Sequence, residues 1–170
     1  MKKVVLLVLF AVALVVNPAV ADATKIGFVD LQKALNLSKA GKDAKSKITG
    51  KVKEFEGEIE KQQTELKKLK EELEKQASML SAEARTSKER DYQQKLKDFQ
   101  RFTKDRQEEL QQLDAQYTNQ IVENLLNLAK ELAQKDGFDL LLERGSGGVL
   151  YGAESIDLTE KLIATSDAAK

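Results

Sequence analysis

The chain of 170 residues has no cysteine, no histidine, no tryptophan and a single proline. Without cysteine there is no disulfide, no thiolate nucleophile and no cysteine-ligated zinc or iron–sulfur site. Without histidine the commonest general base, the commonest metal ligand and the usual switch near neutral pH are missing. Aromatic residues make up 5% of the chain, and charged residues 33%, divided into 28 basic and 28 acidic side chains. So much balanced charge with so little proline points to long solvated helices. The length suits one domain, at most two.

The proline, Pro18, sits in an N-terminal segment of its own kind. Met1-Lys2-Lys3 is a basic start, Val4 to Val16 an unbroken apolar run, Asn17-Pro18 a break, and Ala19-Val20-Ala21 a small-x-small cleavage site. This is the three-part pattern of a secretory signal peptide. The run falls short of the about 20 apolar residues of a membrane-spanning helix, which makes an uncleaved anchor the lesser alternative. Cleavage after Ala21 removes two lysines and leaves 26 basic against 28 acidic groups, a net charge of −2, with no proline. The short basic start looks bacterial, so export would deliver the mature chain to the periplasm. That compartment lacks a nucleotide pool, which argues against ATP-driven chemistry.

The mature chain opens on Ile26-Gly27-Phe28-Val29, a short run with strand character. Asp30 then offers an N-cap for a helical start over residues 31–35, and Ser38 offers a second. Beyond Lys39 a heptad pattern places Val52, Ile59, Leu66, Leu73 and Leu80 at one position and Phe55, Gln62, Leu69 and Gln76 at the other. Seven of those nine sites are apolar, a coiled-coil seam diluted by two glutamines. No glycine or proline marks a turn near 79–88, but Ser81 followed by Glu83 suits a new helix N-terminus. A reversal is expected there, the alternative being one rod of about 95 residues.

The returning helix carries Tyr92, Leu96, Phe99, Arg106, Leu110, Leu113, Tyr117, Ile121, Leu125, Leu128 and Leu132. From Leu110 to Leu132 the pattern repeats every eleven residues, which relaxes or reverses a heptad supercoil. Val122, Leu126, Ala129 and Ala133 form a second stripe, so this end is expected to touch a body. Gly137 is the expected helix stop. Residues 138–143 read as a strand, Gly145 to Gly148 as a hairpin loop, and Val149-Leu150-Tyr151 as the returning strand. Asp157 to Glu160 reads as a capping box opening a short helix over residues 158–164, with a loose tail after it.

Outside the hairpin roughly 50 residues remain, too few for a sturdy domain, and three short strands would leave open sheet edges. Joining equivalent sheets from several copies would close those edges. The expectation is an α+β chain. Residues 22–37 and 137–170 form a small β body completed by oligomerisation. Residues 38–136 form a long helical hairpin arm with its tip near 79–88. The candidate oligomer core is Ile26, Phe28, Phe138, Leu140, Leu142, Val149, Tyr151 and Ile156.

With these features the sequence resembles the Skp (OmpH-like) periplasmic chaperones. The resemblance rests on the signal peptide, on Lys25-Ile26-Gly27-Phe28-Val29-Asp30 with Gln32-Lys33-Ala34-Leu35, on the charged helical hairpin, and on Val149-Leu150-Tyr151-Gly152 with Ile156-Asp157-Leu158-Thr159. It spans essentially the whole mature chain. It implies a homotrimer in which strands of three subunits form a small β-barrel and three coiled-coil arms enclose a cavity. The implied activity is ATP-independent holding of unfolded outer-membrane proteins, with no cofactor. Well-studied members of the family are strongly basic, whereas this mature chain is slightly acidic, so no lipid-site residue is carried over.

Charge is unevenly placed. Lys25 to Lys53 holds eight lysines and two aspartates, Glu54 to Glu74 eight acids and four bases, Arg85 to Arg106 eight bases and four acids, and Gln107 to Arg144 eight acids and three bases. The net charges are therefore +6, −4, +4 and −5. The basic distal block offers Arg85, Lys88, Arg90, Lys95, Lys97, Arg101, Lys104 and Arg106 for electrostatic capture of acidic clients or for contact with anionic lipid head groups, the membrane contact being without further support in the sequence. The bland alternative is a solvated face paired with Glu89, Asp91, Asp98 and Asp105. Met79, Tyr92 and Phe102 are the spare apolar candidates for client contact, although Phe102 could simply widen the arm's own core.

An enzyme is not expected. The Gly145-Ser146-Gly147-Gly148 run lacks the ending of a phosphate loop and joins two expected strands, and no carboxylate or Ser–Lys motif stands out. A net charge of −2 with no basic–aromatic motif argues against nucleic-acid binding. A structural coiled-coil envelope spacer without client binding is the stronger rival to a chaperone.

Overall fold

The computed structural model describes residues 24–76, 79–145 and 148–169. The segment 1–21, read from the sequence as a signal peptide, and the middle of the glycine run, residues 146–147, lie outside the described residues.

β1 (Ile26–Val29) runs straight into α1 (Leu31–Leu37). Asp30 stands between them in extended backbone and its carboxylate accepts the Lys33 N–H at 2.7 Å, so the expected N-cap forms. Ser38, also extended, ends α1, and its hydroxyl accepts the Gly41 N–H at 3.2 Å at the start of α2 (Lys39–Gln76). That start is held from the far end of the chain as well, by Asp167, which accepts the Lys39 N–H at 2.7 Å.

The chain reverses around Met79 and Leu80 without glycine or proline. Ser81 caps the returning helix α3 (Ala82–Lys135) by accepting the Ala84 N–H at 3.2 Å. With 38 and 54 residues, the two helices are about 57 and 81 Å long. Contacts at three levels share one register: the paired residue numbers in Lys47–Tyr117, Glu58–Arg106 and Gln76–Lys88 each add to 164. A single antiparallel alignment therefore runs the length of the arm. All nine seam positions from Val52 to Leu80 are buried or half-buried, and Phe55 is the most enclosed.

α3 outruns α2, and its lower end is the wall of the body. Leu125, Ala129 and Leu132 pack with Val29 of β1, Ala34 of α1, and Leu158, Leu162 and Ile163 at the C-terminal end of the chain. Of the second stripe, Ala129 and Ala133 are buried and Val122 half-buried, while Leu126 remains exposed. α3 stops in a Schellman turn. Here the Phe138 N–H reaches the Ala133 carbonyl at 2.9 Å, the Gly137 N–H reaches Gln134 at 3.3 Å, and Gly137 has φ +69°.

β2 (Leu140–Glu143) lies parallel to β1, from Ile26 opposite Leu140 to Val29 opposite Glu143. On β1's other side the Leu158 N–H bonds the Phe28 carbonyl at 2.9 Å, and Phe28 bridges to Asp157. α4 (Thr159–Ala168) follows, after a 3-10 turn at Glu154–Ile156.

Several expectations need correction. The strand begins at Leu140 rather than Phe138, because Phe138 is used in the Schellman turn. Val149-Leu150-Tyr151 is not a returning strand within the chain: β2 takes the distant β1 as its partner instead of its sequence neighbour. Among the described residues the sheet has two strands rather than three. The capping box is not reciprocal. Asp157 accepts the Thr159 N–H at 2.8 Å, but Glu160 pairs with Lys33 at 2.7 Å. The tail after residue 164 is helical to Ala168, anchored by Asp167 on α2. α2 ends at Gln76, short of Leu80.

Candidate functional site

Two surfaces stand out, the distal arm and the outer face of the sheet. In the arm, the constant register sets α2 residues 54–74 against α3 residues 90–110. The acidic block, net −4, therefore faces a stretch of six bases and five acids, net +1, while the basic block 85–106, net +4, faces residues 58–79 with six acids and five bases, net −1. Nearer the body the signs are reversed, with the lysine-rich start of α2 beside the acidic half of α3. The basic segment is consequently only partly offset by the helix it faces, and residues 58–106 keep 13 bases against 11 acids.

The individual cations differ in freedom. Arg85 pairs with Glu89 at 2.9 Å, Arg101 with Asp98 at 2.9 Å and Lys104 with Glu108 at 3.6 Å, all within α3. Exposed pairs of this kind contribute little to stability. Lys88 crosses the tip to donate to the Gln76 side-chain oxygen at 2.8 Å. Arg90, Lys95 and Lys97 are exposed and make no ion pair among the described residues. The Arg101 hydrogen bond, with a second from Gln94, holds the Asp98 carboxyl below the usual carboxylate range.

The apolar candidates also separate. Met79 projects at the tip, 84% exposed. Tyr92 is half-buried in the seam. Phe102 lies off the seam on one flank, half-buried, with the Arg106 guanidinium 4.8 Å from its ring centre. The same guanidinium is 4.8 Å from the ring of Phe55, and its Nε is buried without a hydrogen bond, 3.6 Å from Glu58. Sequence reasoning placed Arg106 in the seam pattern and in the basic distal segment, but not as a cation held between two rings. The signal was a charged residue at a position where apolar ones recur.

The second surface is the face of the sheet turned away from the helices. Gly27, Val29 and Leu141 face inward: a Cβ at Gly27 would touch the Phe138 ring and Leu158, and Leu141 packs on the core. Ile26, Phe28, Leu140 and Leu142 face the other way, as alternation requires. An open concavity of about 420 Å³ on that side is lined by Ile26, Phe28, Leu142, Val149, Tyr151 and Ile156, with Leu150 and three glycines. Six of the eight candidate oligomer-core residues thus meet at one place. Leu140 is beside it and 46% exposed. Phe138 is on the inner side, with the Lys25 ammonium 4.2 Å from its ring. Leu150, 97% exposed, was not among the candidates although it lines the same concavity, and Tyr151 is 88% exposed beside it.

Among the described residues no cluster of histidine, cysteine, aspartate or glutamate could hold a metal ion, and no helix is long and apolar enough to cross a membrane.

These observations define a class: a long antiparallel helical hairpin mounted on a small two-stranded body that carries exposed apolar residues beside its sheet. The model of the family described as outer membrane protein (OmpH-like) matches residues 25–165. The chain belongs to that OmpH-like family. It is also similar in fold to a Caulobacter crescentus structure presented as a candidate OmpH-like outer membrane chaperone, with 18% identity, 86% of each chain covered and a TM-score of 0.81. No curated protein matches the chain.

Proposed function

We propose that the chain is an ATP-independent holdase for unfolded outer-membrane proteins, exported to the periplasm after cleavage at Ala21 and acting as a homotrimer. The carrying observation is the family match over residues 25–165, which takes in both the arm and the body. The exposed apolar residues beside the sheet support self-association. Leu150 and Tyr151, 97% and 88% exposed, would be costly to leave in water at about 25 cal/mol per Å² of apolar surface. Strands contributed by three copies would cover those residues and close the barrel. The arms would then surround a client and hold it by many weak contacts, which suits a holder that must not impose one conformation. No chemistry is required of it, in keeping with a chain that lacks cysteine and histidine.

The ion pairs that Arg85, Arg101 and Lys104 make within α3 favour one rival, a structural envelope spacer with no client. An aggregation assay separates them. An unfolded outer-membrane barrel protein is diluted from denaturant with and without the mature protein, and light scattering is followed. The holdase suppresses scattering at one trimer per client; unchanged scattering leaves the spacer.

A further inference from the structure

Midway along the arm, on the flank where Phe102 leaves the seam, α2 and α3 together line an open cleft of about 510 Å³. Its floor is Leu66, Phe99 and Phe102, and it opens where the seam carries Gln62 in place of an apolar residue. The rim carries three acidic groups, Glu58, Glu65 and Asp98, and three basic ones, Lys61, Lys95 and Arg106. The volume falls in the range of small-ligand sites.

The rim cancels in charge, so it selects neither an acidic nor a basic occupant, while the floor selects an apolar one. Arg106 shows what chemistry the flank supports: one guanidinium lies within 4.8 Å of two phenylalanine rings, so aromatic faces are already paired with cations there. Lys61 and Lys95 stand on the rim as further cations for an incoming ring. From Lys95 to Arg106 the helix rises about 16 Å, room for roughly five residues of extended chain at ~3.3 Å each. In an extended chain alternate side chains point the same way, so rings two residues apart can lie over Phe99 and Phe102 together. Strands of outer-membrane barrels alternate apolar and polar residues and carry aromatic girdles.

We propose that this mid-arm cleft binds an extended, uncharged segment of an unfolded membrane strand by seating its aromatic side chains over Phe99 and Phe102 beside Arg106. The proposal names the client feature that the holdase reads, and it rests on the chaperone function proposed above.

The protein has no tryptophan, so indole emission reports a bound peptide without background. The probe is a blocked, uncharged nonapeptide alternating threonine with tryptophan and tyrosine, titrated with the full mature protein. Its emission is expected to shift to the blue and saturate. Phe102→Leu keeps an apolar side chain of similar size and removes the ring, and should weaken binding about five- to tenfold with helicity by circular dichroism unchanged. A twin peptide with leucine at every aromatic position should compete about tenfold less well against the unaltered protein, a measurement that does not depend on the variant folding. Equal binding by Phe102→Leu, or equal competition by the leucine peptide, overturns the cleft. Protein that binds the probe as expected yet leaves client aggregation unchanged overturns the chaperone function and not the cleft; suppression of aggregation with a probe indifferent to aromatics does the reverse.

Discussion

α2 contains three glycines whose replacement by alanine should have opposite effects. At Gly50 and Gly57 a Cβ would meet nothing within 4 Å, and both lie on the exposed face of a continuous helix. Glycine in such a place costs about 0.5–1 kcal/mol relative to alanine, through the backbone freedom lost on folding. The two sites are a heptad apart, about 10 Å, so their effects should add. The double variant Gly50→Ala/Gly57→Ala should gain about 1–2 kcal/mol, or roughly 2–8 °C in Tm for a chain of this size. At Gly41 the same change would put a Cβ 1.6 Å from the Leu35 carbonyl oxygen. Backbone cannot yield as a side-chain tip can, and Gly41→Ala should lose roughly 3 kcal/mol. Thermal and denaturant unfolding by circular dichroism, at fixed protein concentration, reads all three. If the double variant melts at or below the unaltered protein, the reasoning fails: those faces are then packed by something, or the helix is not continuous there.

Four further outcomes are expected. Ser81→Ala removes the only side-chain cap seen on α3 and should cost about 1 kcal/mol locally, visible as faster hydrogen exchange of the Ala84 and Arg85 amides with the body unchanged. Gly137→Ala forces a Cβ into positive φ and should cost about 1–2 kcal/mol of unfolding free energy. Leu150→Asp should lower the molar mass in light scattering to that of a single chain while helicity persists; an unchanged mass would remove Leu150 from the assembly. For pH, the hydrogen bond from Lys161 and then its charge, with Lys25 and Lys135 nearby, hold the Asp136 carboxyl below the ordinary range. A lowered acid pKa stabilises the fold fully above that range and loses its contribution as pH falls through the lowered value. Tm should therefore be flat from about pH 8 to 5 and fall below about pH 4, and Lys161→Ala should flatten part of that acid slope.

The arm was largely legible because its signals are local. Val52 through Leu80 declared a buried face by spacing alone, and Asp30, Ser81 and Gly137 announced helix ends through caps whose geometry involves only adjacent residues. The body was not legible in the same way. β1 and β2 pair across more than a hundred residues, and nothing near Leu140 encodes Ile26 as its partner; the adjacent glycine run offered a shorter connection and was read as a hairpin. The helical tail depended on the contact of Asp167 with Lys39, equally invisible to local rules. The charge blocks could be counted in sequence, but only the fold shows what each of them faces. That adds to the site: part of the basic stretch from Arg85 to Arg106 is paired within α3, Arg90, Lys95 and Lys97 are exposed, and Arg106 lies between two rings.

The shared register has a consequence for how the arm can change in length. Because each level of α2 is matched to one level of α3, the arm behaves like a zip whose teeth must be removed from both sides together. A deletion confined to one helix leaves an equal run of the other without a partner at the tip, or else slides like charges past each other. Insertions and deletions that preserve the protein should therefore come as matched segments, one on each side of Met79, and arms of different reach can be built on the same base by adding or removing such pairs.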